Sequence, residues 1–118
     1  MSRRLALSLL FSAILVVMTV VTVRASLHQA VWNWGGLVTG PDRYWTIATL
    51  ADAYCGFLTF YAWVFYKERS AAARAAWFAG IMLLGNFAMA TYVLLQLARL
   101  RRDEPLENLL LRAPAGAR

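Results

Sequence analysis

The sequence is poor in the residues that build disulfides and metal centres. It has one cysteine, Cys55, and one histidine, His28, among 118 residues. One cysteine excludes an internal disulfide, and one histidine excludes paired-histidine haem ligation or a multi-histidine metal site within a single chain. We therefore expect no metal and no cofactor.

Charge is also scarce, because 15% of the residues are charged and 61% are hydrophobic. Soluble domains average roughly one quarter charged. Residues 5–23 and 77–98 carry no charge, and residues 44–66 carry one, Asp52. A membrane-spanning helix needs about 20 apolar residues. The sequence thus predicts an all-α integral membrane protein, a single domain over residues 1–118 with three transmembrane helices and an interfacial loop between the first two.

Catalytic motifs are missing as well. The chain has no glycine-rich phosphate loop, nucleophile elbow, zinc-protease helix or paired catalytic carboxylates, and every acidic residue except Asp52 lies outside the apolar runs. We expect a protein that is not an enzyme, with no catalytic residue. An enzyme that acts on lipid or quinone is the alternative ranked third, after a helix-packing protein and a transporter.

The net charge of +6 is compatible with nucleic-acid binding, but the distribution of the basic residues predicts the lipid bilayer as the partner and not nucleic acid. The basic residues stand in small groups beside the apolar runs, where they can anchor the chain to lipid headgroups. They are Arg3, Arg4, Arg24, Lys67, Arg69, Arg99, Arg101 and Arg102.

The first apolar run resembles a secretory signal with a cleavage point after Ala25, but it has 19 residues where a signal usually has 7 to 15. We favour an uncleaved span over a cleaved signal. Aromatic residues at the predicted membrane surfaces are interfacial anchors; they are Trp32, Trp34, Tyr44, Trp45, Trp63 and Tyr66. Residues 103–118 predict a short amphipathic segment followed by a flexible tail.

The number of basic residues on each side gives only a weak preference for the orientation of three spans. With the amino terminus inside, five basic residues are inside and seven outside. Arg3 and Arg4 ahead of the first run favour the amino terminus inside, which places the tail outside. The expected location is the bacterial inner membrane.

Asp52 is the most unusual residue of the sequence, because a carboxylate inside a spanning helix costs at least ~2.5 kcal/mol. Helical spacing places Thr49, Asp52 and Thr59 on one broad face of the second span, and Asn86 and Thr91 reach a similar depth on the third. These five residues form the candidate polar intramembrane site. Small residues on the two helices predict close helix packing; they are Ala48, Gly56, Gly80 and Gly85.

Two roles are open for this site. Asp52 could hydrogen-bond between helices in a non-enzymatic helix-packing protein, one that assembles as a homo-oligomer or as an accessory subunit of a larger membrane complex. Alternatively, Asp52 could be the proton or cation site of a transporter or ion-coupled subunit.

Two motifs carry a resemblance to a known family. Asp52-Ala53-Tyr54 lies in the second run, and Trp63-Val64-Phe65-Tyr66-Lys67-Glu68 ends it. Together with residues 92–100 and Ala25-Ser26-Leu27, the stretch that contains both motifs, residues 50–68, resembles a family of small three-span membrane proteins of unknown function found in bacteria and plants. The resemblance covers most of residues 10–100. It implies a three-span topology and supplies no activity or catalytic residue.

Overall fold

The structure is a computed structural model that describes residues 2–33 and 43–112. Its α-helices are α1 (Arg3–His28), α2 (Arg43–Lys67), α3 (Ala71–Leu84) and α4 (Asn86–Arg99). Short 3-10 helices occupy Val31–Asn33 and Leu106–Leu109. The described residues contain no strand, so the all-α prediction is confirmed. The predicted flexible tail after residue 112 lies outside the described residues.

Serine side chains begin two of the helices. Ser2 Oγ accepts the Leu5 N–H at 3.1 Å before α1, and Ser70 Oγ accepts the Ala73 N–H at 3.3 Å before α3. Each hydroxyl satisfies a backbone donor that has no partner within its own helix. Ser70 therefore fixes where the chain turns from the end of α2 into α3.

Two helices of the described chain, α1 and α2, are long and apolar enough to cross a membrane. With 26 and 25 residues, they measure about 37–39 Å, more than the roughly 30 Å of a hydrocarbon core. They include the predicted runs 5–23 and 44–66. The described part of the chain thus supports two candidate spans.

The third predicted span is not one helix. The chain breaks at Gly85, and α3 and α4 have 14 residues each, about 21 Å, too short to cross a bilayer. Gly85 has φ +54° and ψ −122°, a conformation that L-residues rarely adopt. The prediction of a straight helix over residues 77–98 followed from the absence of charge. An uncharged run can equally form two helices joined by a turn, so this property does not reveal the break.

After Gly85 the chain folds back, so that α3 and α4 form an antiparallel hairpin. A Cβ placed on Gly80 would lie 3.8 Å from the Ala88 Cβ. The rings of Trp77 and Tyr92 meet edge to face with centroids 4.8 Å apart. In a straight helix, residues 80 and 88 would be about 12 Å apart along the axis. Small residues near the tip let the two backbones approach closely.

The hairpin lies between the long helices. The Tyr54 hydroxyl donates to the Met82 carbonyl at 3.1 Å and the Tyr61 hydroxyl to the Arg74 carbonyl at 2.9 Å, so α3 runs antiparallel to α2. Arg4, near the start of α1, donates to the carbonyl of Leu97, near the end of α4. Helices α1 and α4 therefore also run antiparallel.

This arrangement collects the basic residues at one end. The start of α1, the end of α2, the start of α3 and the end of α4 lie together there, and we call this the basic end. It holds nine of the basic residues in the described ranges: Arg3, Arg4, Lys67, Arg69, Arg74, Arg99, Arg101, Arg102 and Arg112. The opposite end, which we call the loop end, holds two, Arg24 and Arg43.

The C-terminal segment, residues 100–112, closes the basic end. Lys67 is buried, and its ammonium donates to the Leu109 carbonyl. Trp63 Nε1 donates to the Leu110 carbonyl at 3.1 Å, and Arg112 Nε donates to the Tyr66 carbonyl at 2.7 Å. Hydrogen bonds between the end of α2 and the C-terminal segment thus hold a segment that has little regular structure.

Tyr92 is the centre of the core. It is fully buried with Val64 and Ile81, and its ring packs edge to face against three aromatic rings, those of Phe60, Trp63 and Trp77. Its hydroxyl donates to a Glu68 carboxylate oxygen at 3.1 Å. One side chain therefore joins α2, the α2–α3 turn, α3 and α4.

Tyr92→Phe is expected to lower the free energy of unfolding by about 1.5–3 kcal/mol, the range for a hydrogen bond to a charged group. The variant retains the ring and loses only the bond to Glu68. Thermal unfolding in detergent measures the change. Tyr44→Phe is the control, because it removes a hydrogen bond from Arg43 that is exposed at the loop end, and equal melting temperatures for the two variants would contradict the assigned role.

Candidate functional site

Asp52 lies on the exposed surface of α2. Within residues 2–33 and 43–112, its carboxylate has neither a hydrogen bond nor an ion pair. Helix α2 starts at Arg43, so Asp52 is about 13 Å along the helix from the loop end. An acidic group at this depth is therefore unsatisfied by the described chain.

Two geometric reasons keep Asp52 away from the hairpin. Helix α2 meets the hairpin tip through Phe57, whose ring would lie 2.8 Å from a Cβ at Gly85. Asp52 is five residues earlier, which rotates it by about 140° around the helix. The same five residues move it about 7.5 Å beyond the tip. The prediction that Asn86 and Thr91 lie at the depth of Asp52 requires a third span of full length. The hairpin ends before it reaches the level of Asp52.

The other residues of the candidate polar site do not converge on Asp52. The Thr49, Thr59 and Thr91 hydroxyls donate to the carbonyls four residues earlier in their own helices, at 2.8, 2.9 and 2.7 Å. Asn86 is exposed at the start of α4, and its side chain has no hydrogen bond within the described ranges. The structure thus places Thr49 and Thr59 on α2, Asn86 at the hairpin tip and Thr91 further along α4, and the described ranges hold no closed polar cluster around Asp52.

The four predicted packing residues divide into two pairs. Gly80 and Gly85 lie in the hairpin, where they allow the close approach and the turn described above. Ala48 and Gly56 lie on α2 beside Asp52, both exposed, and a Cβ at Gly56 would have nothing within 4 Å. The α2 face formed by Ala48, Thr49, Asp52, Gly56 and Thr59, which we call the Asp52 face, is exposed throughout.

The predicted interfacial anchors also divide. Trp32, Tyr44 and Trp45 are highly exposed at the loop end, and Trp34 lies outside the described residues. At the basic end, Trp63 is partly buried against Phe60 and Tyr92. Arg112 stacks over the Tyr66 ring at 5.3 Å. These two aromatics contribute to internal packing.

Sequence reasoning missed an apolar cavity of about 470 Å³ near the basic end. It lies between α1, α2, α4 and the C-terminal segment. Its walls include Leu7 and Phe11 of α1, Phe60 and Trp63 of α2, Val93 of α4 and Leu109. The spacing of Leu106, Leu109 and Leu110 signalled an apolar side of the C-terminal segment, but the sequence could not show which helices it faces.

No group of three or more His, Cys, Asp or Glu residues that could hold a metal ion occurs in the described ranges. Cys55 is exposed on α2, one turn from Asp52.

Comparison with known proteins identifies a family without assigning an activity. A family described as "Protein of unknown function (DUF1475)" matches residues 3–116, which is nearly the whole chain. No curated protein and no solved structure matches. The match covers all four helices and the C-terminal segment, so the chain belongs to the DUF1475 family of proteins of unknown function.

Proposed function

We propose that the chain is an integral membrane protein with two spanning helices and a half-depth hairpin. Helices α1 and α2 are long enough to cross, while α3 and α4 are each about 21 Å long. Segments of 10–14 apolar residues suit a re-entrant or interfacial position better than a span. The hairpin would enter from the basic end and return to it.

The charge distribution supports one orientation for this arrangement. Cytoplasmic segments of membrane proteins are enriched in Lys and Arg. A straight third helix divides the basic residues almost evenly, whereas the hairpin gives nine at one end and two at the other within the described ranges. We therefore place the basic end, with residues 2 and 112, on the cytoplasmic side of the bacterial inner membrane.

We further propose a non-enzymatic role in membrane assembly, which the exposure of Asp52 supports. Facing lipid, an ionised Asp52 would cost at least ~2.5 kcal/mol. No described residue satisfies it, and the surrounding face has the small and hydroxyl side chains that let membrane helices approach and hydrogen-bond. The Asp52 face would thus pack against the same face of a second copy, where the two carboxyl groups can share a hydrogen bond.

Substitutions at Asp52 test this assembly. Asp52→Asn keeps the hydrogen-bonding capacity and should keep the dimer, whereas Asp52→Leu should weaken association several-fold, since one interhelical hydrogen bond in a membrane contributes about 0.6–2 kcal/mol. Native mass spectrometry in detergent measures the dimer fraction. Asp103→Asn is the control, because Asp103 is exposed at the basic end.

A dimer unchanged by Asp52→Leu would contradict the proposal, and a stable complex with a different protein would replace the second copy with that partner. Ion flux tests the transport alternative. If Asp52 is a proton or cation site, Asp52→Asn would preserve assembly and abolish proton- or cation-dependent flux in reconstituted vesicles. Flux measured on the same preparations separates the two roles.

A further inference from the structure

The apolar cavity and the charges beside it point to a bound lipid. We propose that the cavity holds an acyl chain of a phosphatidylethanolamine molecule whose headgroup lies at the basic end. The proposal rests on the membrane location proposed above and does not depend on assembly through Asp52.

The cavity has the size and the lining of a ligand site. Its volume of about 470 Å³ lies within the roughly 300–1,000 Å³ typical of small-molecule sites. Side chains from three helices and the C-terminal segment form its walls, and all but one of the lining residues are apolar or aromatic. The exception is Glu107. A hydrocarbon chain satisfies such walls, because it brings no polar group that would need a partner.

Cationic groups lie one helical turn from the cavity wall. Arg3 and Arg4 precede Leu7 by four and three residues on α1, so they share its face of the helix. Arg4 also donates to the Leu97 carbonyl. Arg3 is exposed and has no ion-pair partner in the described ranges. Both residues therefore lie on the basic-end side of the cavity, and an arginine there can bind the phosphate of a lipid whose chain fills the cavity.

Glu107 selects among phospholipid headgroups. It lines the cavity, is exposed, and has no ion-pair partner within the described residues. Its carboxylate would repel a purely anionic headgroup. A primary ammonium can donate hydrogen bonds to it, whereas the quaternary ammonium of a choline headgroup has no hydrogen to donate. A phosphate at Arg3 and Arg4 together with a primary ammonium at Glu107 matches ethanolamine headgroups.

Lipid binding is measured by native mass spectrometry of the full chain, delipidated in detergent and mixed with ethanolamine, glycerol or choline phospholipids of identical acyl chains. We expect one ethanolamine lipid per chain, retained about tenfold more strongly than either competitor, the effect of one charge-assisted hydrogen bond. Glu107→Gln should abolish this preference. Arg3→Gln combined with Arg4→Gln should weaken all three lipids.

Filling the cavity tests the acyl-chain site directly. Leu7→Trp should remove the retained lipid, whereas Val20→Trp, on an exposed part of α1 away from the cavity, should not. Circular dichroism checks that both variants fold. If Leu7→Trp does not fold, Phe11→Trp is the second variant that fills the cavity. Equal retention of the three headgroups, or lipid retained in a folded filling variant, would overturn the proposal. Membrane fractionation separately tests the membrane location.

Discussion

Gly85→Ala is expected to destabilise the protein strongly. At φ +54° and ψ −122°, an alanine would be strained, and such backbone strain costs about 1–3 kcal/mol. The added Cβ would also lie 2.8 Å from Cζ of Phe57, and overpacking of this kind typically costs about 1–3 kcal/mol more. Unfolding in a graded detergent mixture measures the loss.

The sign of this effect distinguishes the hairpin from a straight helix. In a helix interior, replacing glycine with alanine stabilises by roughly 0.5–1 kcal/mol. If residues 77–98 formed one straight span, Gly85→Ala would therefore make the protein more stable. Gly56→Ala, measured on monomeric protein so that the proposed contact of the Asp52 face with a second copy plays no part, is the matched control, because Gly56 lies within α2 and its Cβ would meet open space in the described chain. It should be neutral or slightly stabilising.

An engineered disulfide provides a second, independent test of the hairpin. Gly80→Cys with Ala88→Cys, in a Cys55→Ala background, should cross-link on mild oxidation, because the 3.8 Å separation at Cβ matches disulfide geometry. In a straight helix these positions would be about 12 Å apart along the axis. A protein that remains reduced at both cysteines would contradict the hairpin.

The sequence predicted the parts of the fold that depend on apolar run length. Residues 5–23 and 44–66 are long and nearly uncharged, and both became single helices. Residues 77–98 met the same criterion and became two helices. The difference depends on Gly85, and a glycine inside an apolar run is equally compatible with helix packing and with a turn. Contacts between α3 and α4 decide between them, such as the edge-to-face contact between the rings of Trp77 and Tyr92, 15 positions apart.

The candidate site was harder to predict, because it depends on which helices are neighbours. Helical spacing groups Thr49, Asp52 and Thr59 on one face, a local property of α2. Their proposed contact with Asn86 and Thr91 needed a third helix of full length. The cavity required still longer-range information, because Leu7, Val93 and Leu109 come together only when α1, α4 and the C-terminal segment meet at the basic end.

The proposed topology predicts that both described termini are protected from the outside of the cell. In a Cys55→Ala background, Ser2→Cys and Arg102→Cys should resist a membrane-impermeant maleimide applied to intact spheroplasts, and Leu27→Cys should react. All three positions are exposed in the structure, so each should react after permeabilisation, which is the control for reactivity.

Of the three positions, residue 102 is the one whose side of the membrane differs between the two topologies. A straight third span would carry residue 102 to the side of residue 27, so that both would be labelled in intact spheroplasts. The hairpin returns residue 102 to the side of residue 2, where the Arg4 contact with Leu97 holds α4 beside the start of α1. Since nine described basic residues lie at that end, moving it outward would reverse the usual charge bias. Labelling of residues 2 and 102 with protection of residue 27 would keep the hairpin and contradict the orientation alone.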